Sequence, residues 1–247
     1  MKHCEIAIPE NPIIAGHYIQ DALLEDDVKY IHVKPNRMLL SYIFSDESFS
    51  ISDYWSECAK RIGKPAPMEE DSEGNKTGSL FTDIKYPSNK KSESFSYSNT
   101  RQPLHTDGSY ESKAPNTTYF FCMKESLYGG STTFILLEEL KKYIEIYDKK
   151  LLNKIKNTEV IHSKGDDFKS RPILSDNKLT WNYYRCNDVP IRNEFHNFLE
   201  SYIVGGDLCQ SVKLKFGEAL FFKDEELLHG RTAFLGERWL VKGGIHV

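Results

Sequence analysis

The chain has 247 residues, of which 39% are apolar and 13% aromatic, enough to build a packed core and too many for a disordered chain. A formal net charge of −4 leaves no basic excess, so nucleic acid is not expected as a partner. The five cysteines (Cys4, Cys58, Cys122, Cys186 and Cys209) are odd in number and show no CxxC or zinc-like spacing, which argues against a disulfide framework and for a reducing compartment.

The opening residues Met1–Glu5 carry no secretory apolar run, and no stretch approaches the roughly 20 apolar residues of a membrane helix. A soluble, cytoplasmic, single-domain protein over residues 1–247 is expected, with no membrane partner.

Taken in chain order, residues 17–24 read as a short helix and 29–33 as a strand closed by the Pro35-Asn36 turn. Residues 52–62 have helical spacing, with Tyr54, Trp55, Cys58 and Ile62 on one side and Gly63 as the stop. Residues 65–79 and 87–99 are polar and loop-like; they read as solvated surface, with a lid over a site as the functional alternative. Dense β-formers predict strands at 117–123 and 132–137. Residues 138–156 predict one amphipathic helix, with Leu140, Ile144, Tyr147, Leu151 and Ile155 at three- and four-residue steps and its lysines on the solvated face. Residues 171–174 and 179–184 flank an Asp176-Asn177 turn and predict a hairpin. A helix is expected at 195–204, and strands at 212–216, 219–223 and 239–241. Many short strands with a few helices between them predict a mainly β sandwich or barrel core with flanking helices; a doubly wound sheet would need regular strand–helix alternation.

Chemistry concentrates in two segments. In Leu104-His105-Thr106-Asp107-Gly108, residues i and i+2 of an extended strand point to one face, so an imidazole and a carboxylate can meet at one point. Such an HxD alone is a weak signal. Far downstream, His229 is followed nine positions later by Arg238, across a turn at Gly236. If His229 ends one strand and Arg238 begins its antiparallel neighbour, both face one cavity. Two histidines and a carboxylate form a facial triad for non-haem Fe(II). A zinc hydrolase could also use mixed nitrogen and oxygen ligands. The arginine favours iron, because a dicarboxylate that chelates the metal at one end needs a fixed guanidinium at the other.

Four ordered motifs carry a resemblance: His105-Thr106-Asp107-Gly108-Ser109-Tyr110, Gly129-Gly130-Ser131-Thr132, His229-Gly230-Arg231-Thr232-Ala233-Phe234, and Glu237-Arg238-Trp239-Leu240. From about residue 50 to the end, the chain resembles the taurine dioxygenase and clavaminate synthase-like family of Fe(II)- and 2-oxoglutarate-dependent oxygenases. The resemblance implies a double-stranded β-helix core of the jelly-roll, cupin-like kind. It implies His105, Asp107 and His229 as metal ligands and catalytic centre, and Arg238 and Thr132 as contacts of 2-oxoglutarate, with Thr133 as the neighbouring register. It also implies consumption of O2 and 2-oxoglutarate, release of succinate and CO2, and hydroxylation as the commonest outcome. Related halogenases replace the carboxylate of the triad with a small residue; Asp107 therefore points to oxygen chemistry.

The resemblance has departures. The His229–Arg238 interval is short, Lys242 stands where amino-acid oxygenases of the family often have a second arginine, and the chain stops nine residues after Arg238. Tyr110, Arg231, Arg101 and Asn99 are candidate substrate contacts, with packing or ion pairing within the fold as the alternative for Tyr110 and Arg231. His3, His17, His32, His162, His196 and His246 read as surface or structural. The expected substrate is a small polar metabolite such as an amino acid, free or carried on a biosynthetic protein. The alternatives are a nucleic-acid or other macromolecule-directed oxygenase, and a catalytically silent binding module on the same fold.

Overall fold

The computed structural model describes residues 4–36, 50–69, 76–87 and 95–247. Strand β1 (Cys4–Ile8) leads to helix α1 (Pro12–Leu24). Asn11 starts that helix by accepting the backbone N–H groups of Ile13 and Ile14, and Pro12 follows at the position where a missing N–H costs least. Strand β2 (Tyr30–Pro35) returns parallel to β1. Helix α2 (Ile51–Ile62) opens with a reciprocal cap in which Ser50 Oγ accepts from Asp53 N–H and the Asp53 carboxylate accepts from Ser50 N–H.

Next come β3 (Lys64–Ala66), β4 (Phe81–Tyr86), β5 (Gln102–His105), β6 (Thr117–Lys124), β7 (Tyr128–Gly129) and β8 (Thr132–Leu136). Helices α3 (Leu137–Tyr147) and α4 (Lys149–Asn157) precede β9 (Glu159–Lys164), β10 (Asp167–Pro172), β11 (Leu174–Ser175) and β12 (Lys178–Leu179). Helix α5 (Pro190–Phe198) runs into a π-helical turn (Leu199–Val204). The chain ends with β13 (Gln210–Val212), β14 (Ala219–Lys223), β15 (Leu227–Arg231), β16 (Phe234–Leu235) and β17 (Arg238–His246).

Two sheets face each other. The larger has seven strands in the order β1-β2-β14-β6-β17-β3, with β4 also paired to β17; the smaller has the order β13-β8-β15-β5. The two-residue period of a strand sorts side chains between layers. Phe120, Cys122, Leu220, Phe222 and Leu240 of the large sheet meet Phe134, Leu136 and Leu227 of the small one. Their outward neighbours Tyr119, Phe121, Phe221 and Val241 pack on α1 and α2 through Ile19, Tyr54 and Trp55. On the opposite side, Ile135 and Leu228 pack on α3, α4 and α5 through Leu140, Ile155 and Phe195. Each such side chain contributes roughly 1.5–3 kcal/mol by leaving water. This is a mainly β, jelly-roll (double-stranded β-helix) core between two helical layers.

Several expectations change. The helix expected over 138–156 is two helices: Asp148 leaves helical geometry (φ −156°, ψ 77°) and its side chain accepts from Leu151 N–H, capping the second. The Asp176-Asn177 turn exists with both residues at positive φ, but its strands are two residues long, and a longer hairpin of β9 and β10 precedes it. The helix expected at 195–204 begins at Pro190, while β17 extends to His246. Residues 70–75 and 88–94, within the two polar stretches, lie outside the described residues. Among the described residues no helix is long and apolar enough to cross a membrane, and Cys58, Cys122, Cys186 and Cys209 are free thiols.

Candidate active site

His105 and His229 are direct cross-strand partners on β5 and β15. The register then slips, so that Arg231 faces Gln102. Pro103 lies in that irregular stretch, where a residue without an N–H is tolerated. Gly230 lets β5 approach, because a Cβ there would stand 2.6 Å from the Gln102 carbonyl oxygen. The imidazole centroids are 4.3 Å apart, and His229 also lies against the rings of Phe120 and Phe222 at 6.0 and 4.9 Å.

Asp107 lies beyond the end of β5, in a turn, so strand alternation is not what aims it. Thr106 is tied to the Trp181 carbonyl through its N–H at 2.7 Å, and Asp107 N–H donates to Asp224 Oδ2 at 2.8 Å. The result brings one donor atom of each of His105, Asp107 and His229 to within 4.8 Å of the others. Asp107 Oδ1 is 3.7 Å from His105 Nε2, and Asp107 Oδ2 is 3.5 Å from His229 Nε2.

The electrostatics suit a cation. Burial and the neighbouring imidazole lower His105 to about 4, and burial lowers His229 to about 4, so both rings are neutral at pH 7 and keep a lone pair. His105 Nδ1 lies 3.0 Å from the Pro103 carbonyl, which fixes the proton on that nitrogen and leaves Nε2 as the ligand atom. In this structure the Gln102 amide donates to Nε2 at 3.1 Å. Burial pushes Asp107 up, but the Lys242 ammonium, 2.7 Å from Oδ1, and the two imidazoles outweigh it and hold the carboxyl below its ordinary range. Asp107 Oδ2 is buried without a hydrogen-bond partner. Without a metal ion in the triad, burial and the Asp107 charge raise Asp224 well above the ordinary carboxylate value, a shift that a bound divalent cation opposes.

Arg238, Leu240 and Lys242 share the inward face of β17. His229 and Arg238 do not sit on neighbouring strands, as the sequence suggested. They belong to opposite sheets, and the segment between them crosses through β16, which pairs with β7. Arg238 is 5% exposed and stacks over Phe234 at 5.5 Å, and among the described residues no carboxylate or carbonyl accepts from it. Burial, with the Arg231 charge, lowers it to about 9. It shares a small cavity with Thr132, Gly130, Ser126, Cys122 and Lys213. Gly130 is at φ +73°, and a Cβ there would meet Ser126 Oγ at 2.6 Å and the Arg238 side chain at 3.2 Å. Thr132 is buried and lines this cavity, whereas Thr133 alternates to the other face of β8.

The remaining candidates scatter. The Tyr110 hydroxyl is 3.5 Å from Lys164 Nζ, whose strand hydrogen-bonds to the Arg185 segment through Ser163. Arg231 clamps the 95–100 segment, donating to the carbonyls of Phe95, Ser98 and Thr100 at 3.0, 2.8 and 2.8 Å. Those donors hold backbone, a role within the fold of the kind weighed against substrate contact, with carbonyls in place of an ion-pair partner. Arg101 pairs with Glu200, and the Asn99 carbonyl accepts from Phe234 N–H. His162 is fully buried and accepts from Asn182 N–H at 3.2 Å, His32 pairs with Glu218 and His196 stacks on Tyr183. Sequence reasoning missed Asp224 and Gln102. Asp224, five positions before His229, was the one with a readable signal.

A jelly roll whose interior gathers two imidazoles, a carboxylate and a buried guanidinium defines a non-haem iron, 2-oxoglutarate-dependent dioxygenase. The model of the family described as taurine catabolism dioxygenase TauD, TfdA family matches residues 55–178, half of the chain, and the chain belongs to that family. The match contains His105 and Asp107 and ends before His229 and Arg238. Among solved structures, an asparagine oxygenase bound to Fe(II), 3-hydroxyasparagine and succinate is similar at 13% identity and TM-score 0.72, over 96% of this chain and 80% of its own. PvcB from Pseudomonas aeruginosa is similar at 16% identity and TM-score 0.64, over 98% and 84%. The non-haem iron oxygenase OrfP, bound to Fe and α-ketoglutaric acid, is similar at 12% identity and TM-score 0.69, over 95% and 81%. At such identities the likeness is one of fold. No curated protein sequence matches the chain.

Proposed function

We propose that residues 1–247 act as one oxygenase domain in which His105, Asp107 and His229 hold Fe(II), Arg238 and Thr132 hold 2-oxoglutarate, and the substrate is an amino acid. The observation that carries the reading is Arg238, a buried cation without an anionic partner among the described residues, facing the same interior as a triad of neutral imidazoles and an ionised carboxylate. A dicarboxylate bridging from metal to guanidinium answers both features at once.

Bound in this way, the metal and keto acid supply oxygen activation, with the balance R–H + O2 + 2-oxoglutarate giving R–OH + succinate + CO2. The chain's own groups do the rest. Arg238 anchors the distal carboxylate and so orients the keto acid. Phe120 and Phe222 wall off water beside His229. Asp107 stays ionised and closes the triad. Tyr110, which carries Lys164 over its ring at 5.4 Å, is the proposed substrate contact. An amino acid is supported by the asparagine oxygenase and by OrfP, seen with hydroxylated arginine, both on this fold.

The test is an anaerobic titration of the metal-free protein with Fe(II) and 2-oxoglutarate, followed by the weak violet charge-transfer band of the chelate. The band is expected in the native protein, lost in Asp107→Ala, and in Arg238→Ala absent at 2-oxoglutarate concentrations that saturate the native protein. Folded native protein with no band and no tight iron binding would overturn the reading. Succinate release is then measured against a panel of free and carrier-tethered amino acids, and the arm that couples oxygen uptake to product identifies the form of the substrate.

A further inference from the structure

Asp224 is 2% exposed and sits between two of the triad residues. One oxygen, Oδ2, accepts the Asp107 backbone N–H at 2.8 Å. The other, Oδ1, is 3.3 Å from His229 Nδ1. Both Oδ1 and Nδ1 are buried, and neither makes a hydrogen bond in this structure, so each is the nearest available partner of the other. They therefore satisfy each other or remain orphaned, and an orphaned buried pair is costly. His105 has its own acceptor in the Pro103 carbonyl, so the two imidazoles are held by different devices.

We infer that Asp224 is a positioning residue for two metal ligands at once: one carboxylate oxygen accepts His229 Nδ1–H, which presents the Nε2 lone pair to the metal, and the other fixes the backbone that carries Asp107. The inference rests on the reading of His105, Asp107 and His229 as ligands. A ligating histidine whose second nitrogen is held by a carboxylate is locked in tautomer and ring orientation, and loss of such a partner weakens metal binding by about 10- to 100-fold. The geometry also separates this role from simple packing. In Asp224→Asn the amide oxygen can still accept from Asp107 N–H, but the amide NH2 then faces His229 Nδ1 with a donor, favouring the tautomer that protonates Nε2.

The experiment measures Co(II) affinity by competition with a chelator, together with the exchangeable imidazole N–H resonances of the Co(II) protein. Wild-type protein is expected to show two slowly exchanging signals, one backed by Pro103 and one by Asp224. Asp224→Asn is expected to bind Co(II) about 10- to 100-fold more weakly and to lose protection of one signal only. Equal affinity and two protected signals in Asp224→Asn would overturn the inference while leaving the metal site standing. If Asp224→Asn does not fold, the wild-type spectrum decides, and a single protected signal overturns it. Wild-type protein that binds no Co(II) sinks the ligand reading and this inference together.

Discussion

Arg238 and Lys242 rise from the same face of β17, four residues apart; the Lys242 ammonium lies 2.7 Å from Asp107, and Arg238 reaches no acceptor among the described residues. One strand thus presents a matched cation and an unmatched one to the same interior, and the two should respond oppositely to substitution.

Arg238→Ala is expected to weaken 2-oxoglutarate binding by about 2–4 kcal/mol, roughly 30- to 1000-fold, because a charge-assisted, desolvated contact is lost. Fe(II) affinity without the keto acid should stay near native. Arg238→Lys should fall between, keeping the charge and losing the planar fork. Titrating the violet band with 2-oxoglutarate at saturating Fe(II) checks both; unchanged affinity in Arg238→Ala would exclude this anchor.

Lys242→Met removes the ammonium from Asp107. The metal-free protein should be destabilised by about 1–3 kcal/mol, less than for a fully buried pair because both groups retain some solvent. Added Co(II) should restore more stability to this variant than to wild type, since the metal replaces the missing cation. Thermal unfolding with and without Co(II) reads both effects, and equal metal-induced gains would contradict the idea.

Gly130→Ala places a Cβ at φ +73° and against the Arg238 stem. Backbone strain of about 1–3 kcal/mol is expected. More diagnostic is a selective loss of 2-oxoglutarate affinity with intact Fe(II) binding, because Arg238 must shift. Calorimetric titration with each ligand separates the two.

Acid sensitivity follows from the buried histidines. Burial lowers His105, His162 and His229 to about 4, against about 6.5 in the unfolded chain. Between those values the unfolded state binds more protons, so the stability of the metal-free protein falls as pH drops from about 6.5 to about 4, and these groups leave it flat above that window. His162 lies away from the triad and can be tested alone. His162→Gln keeps an acceptor for Asn182 N–H and should lessen the pH slope by up to about 1.4 kcal/mol per pH unit. Denaturant unfolding at several pH values measures this, and an unaltered slope would show that His162 does not contribute.

The motifs and the strands that carry them were readable because they are local: Ala219–Lys223 and Thr132–Leu136 are dense in β-formers, and the HxD and Gly-Gly segments are contiguous. Long-range relations were not. Asp107 lies off its strand and is aimed by Asp224, a residue 117 positions away. The sheet change between His229 and Arg238 depends on β16 pairing with β7, for which two exposed residues, Tyr128 and Leu235, gave no periodic signal. Arg231 looked available because its adjacency to His229 was visible and the carbonyls it grips, in residues 95–100, were not. Strand β4 was missed because its residues alternate only between half-buried and exposed.

The crossing from His229 to Arg238 has a consequence for choice of co-substrate. The metal-side imidazole hangs from one wall of the sandwich and the guanidinium from the other, so the gap between walls acts as a calliper. Its jaws are set by the side chains packed between the sheets, Phe120, Phe134 and Leu240 among them. With Arg238 as the anchor, a keto acid one methylene shorter is expected to leave a jaw open and one longer to overfill it. On that reading the hydrophobic core of this protein is the gauge that sizes a doubly charged molecule.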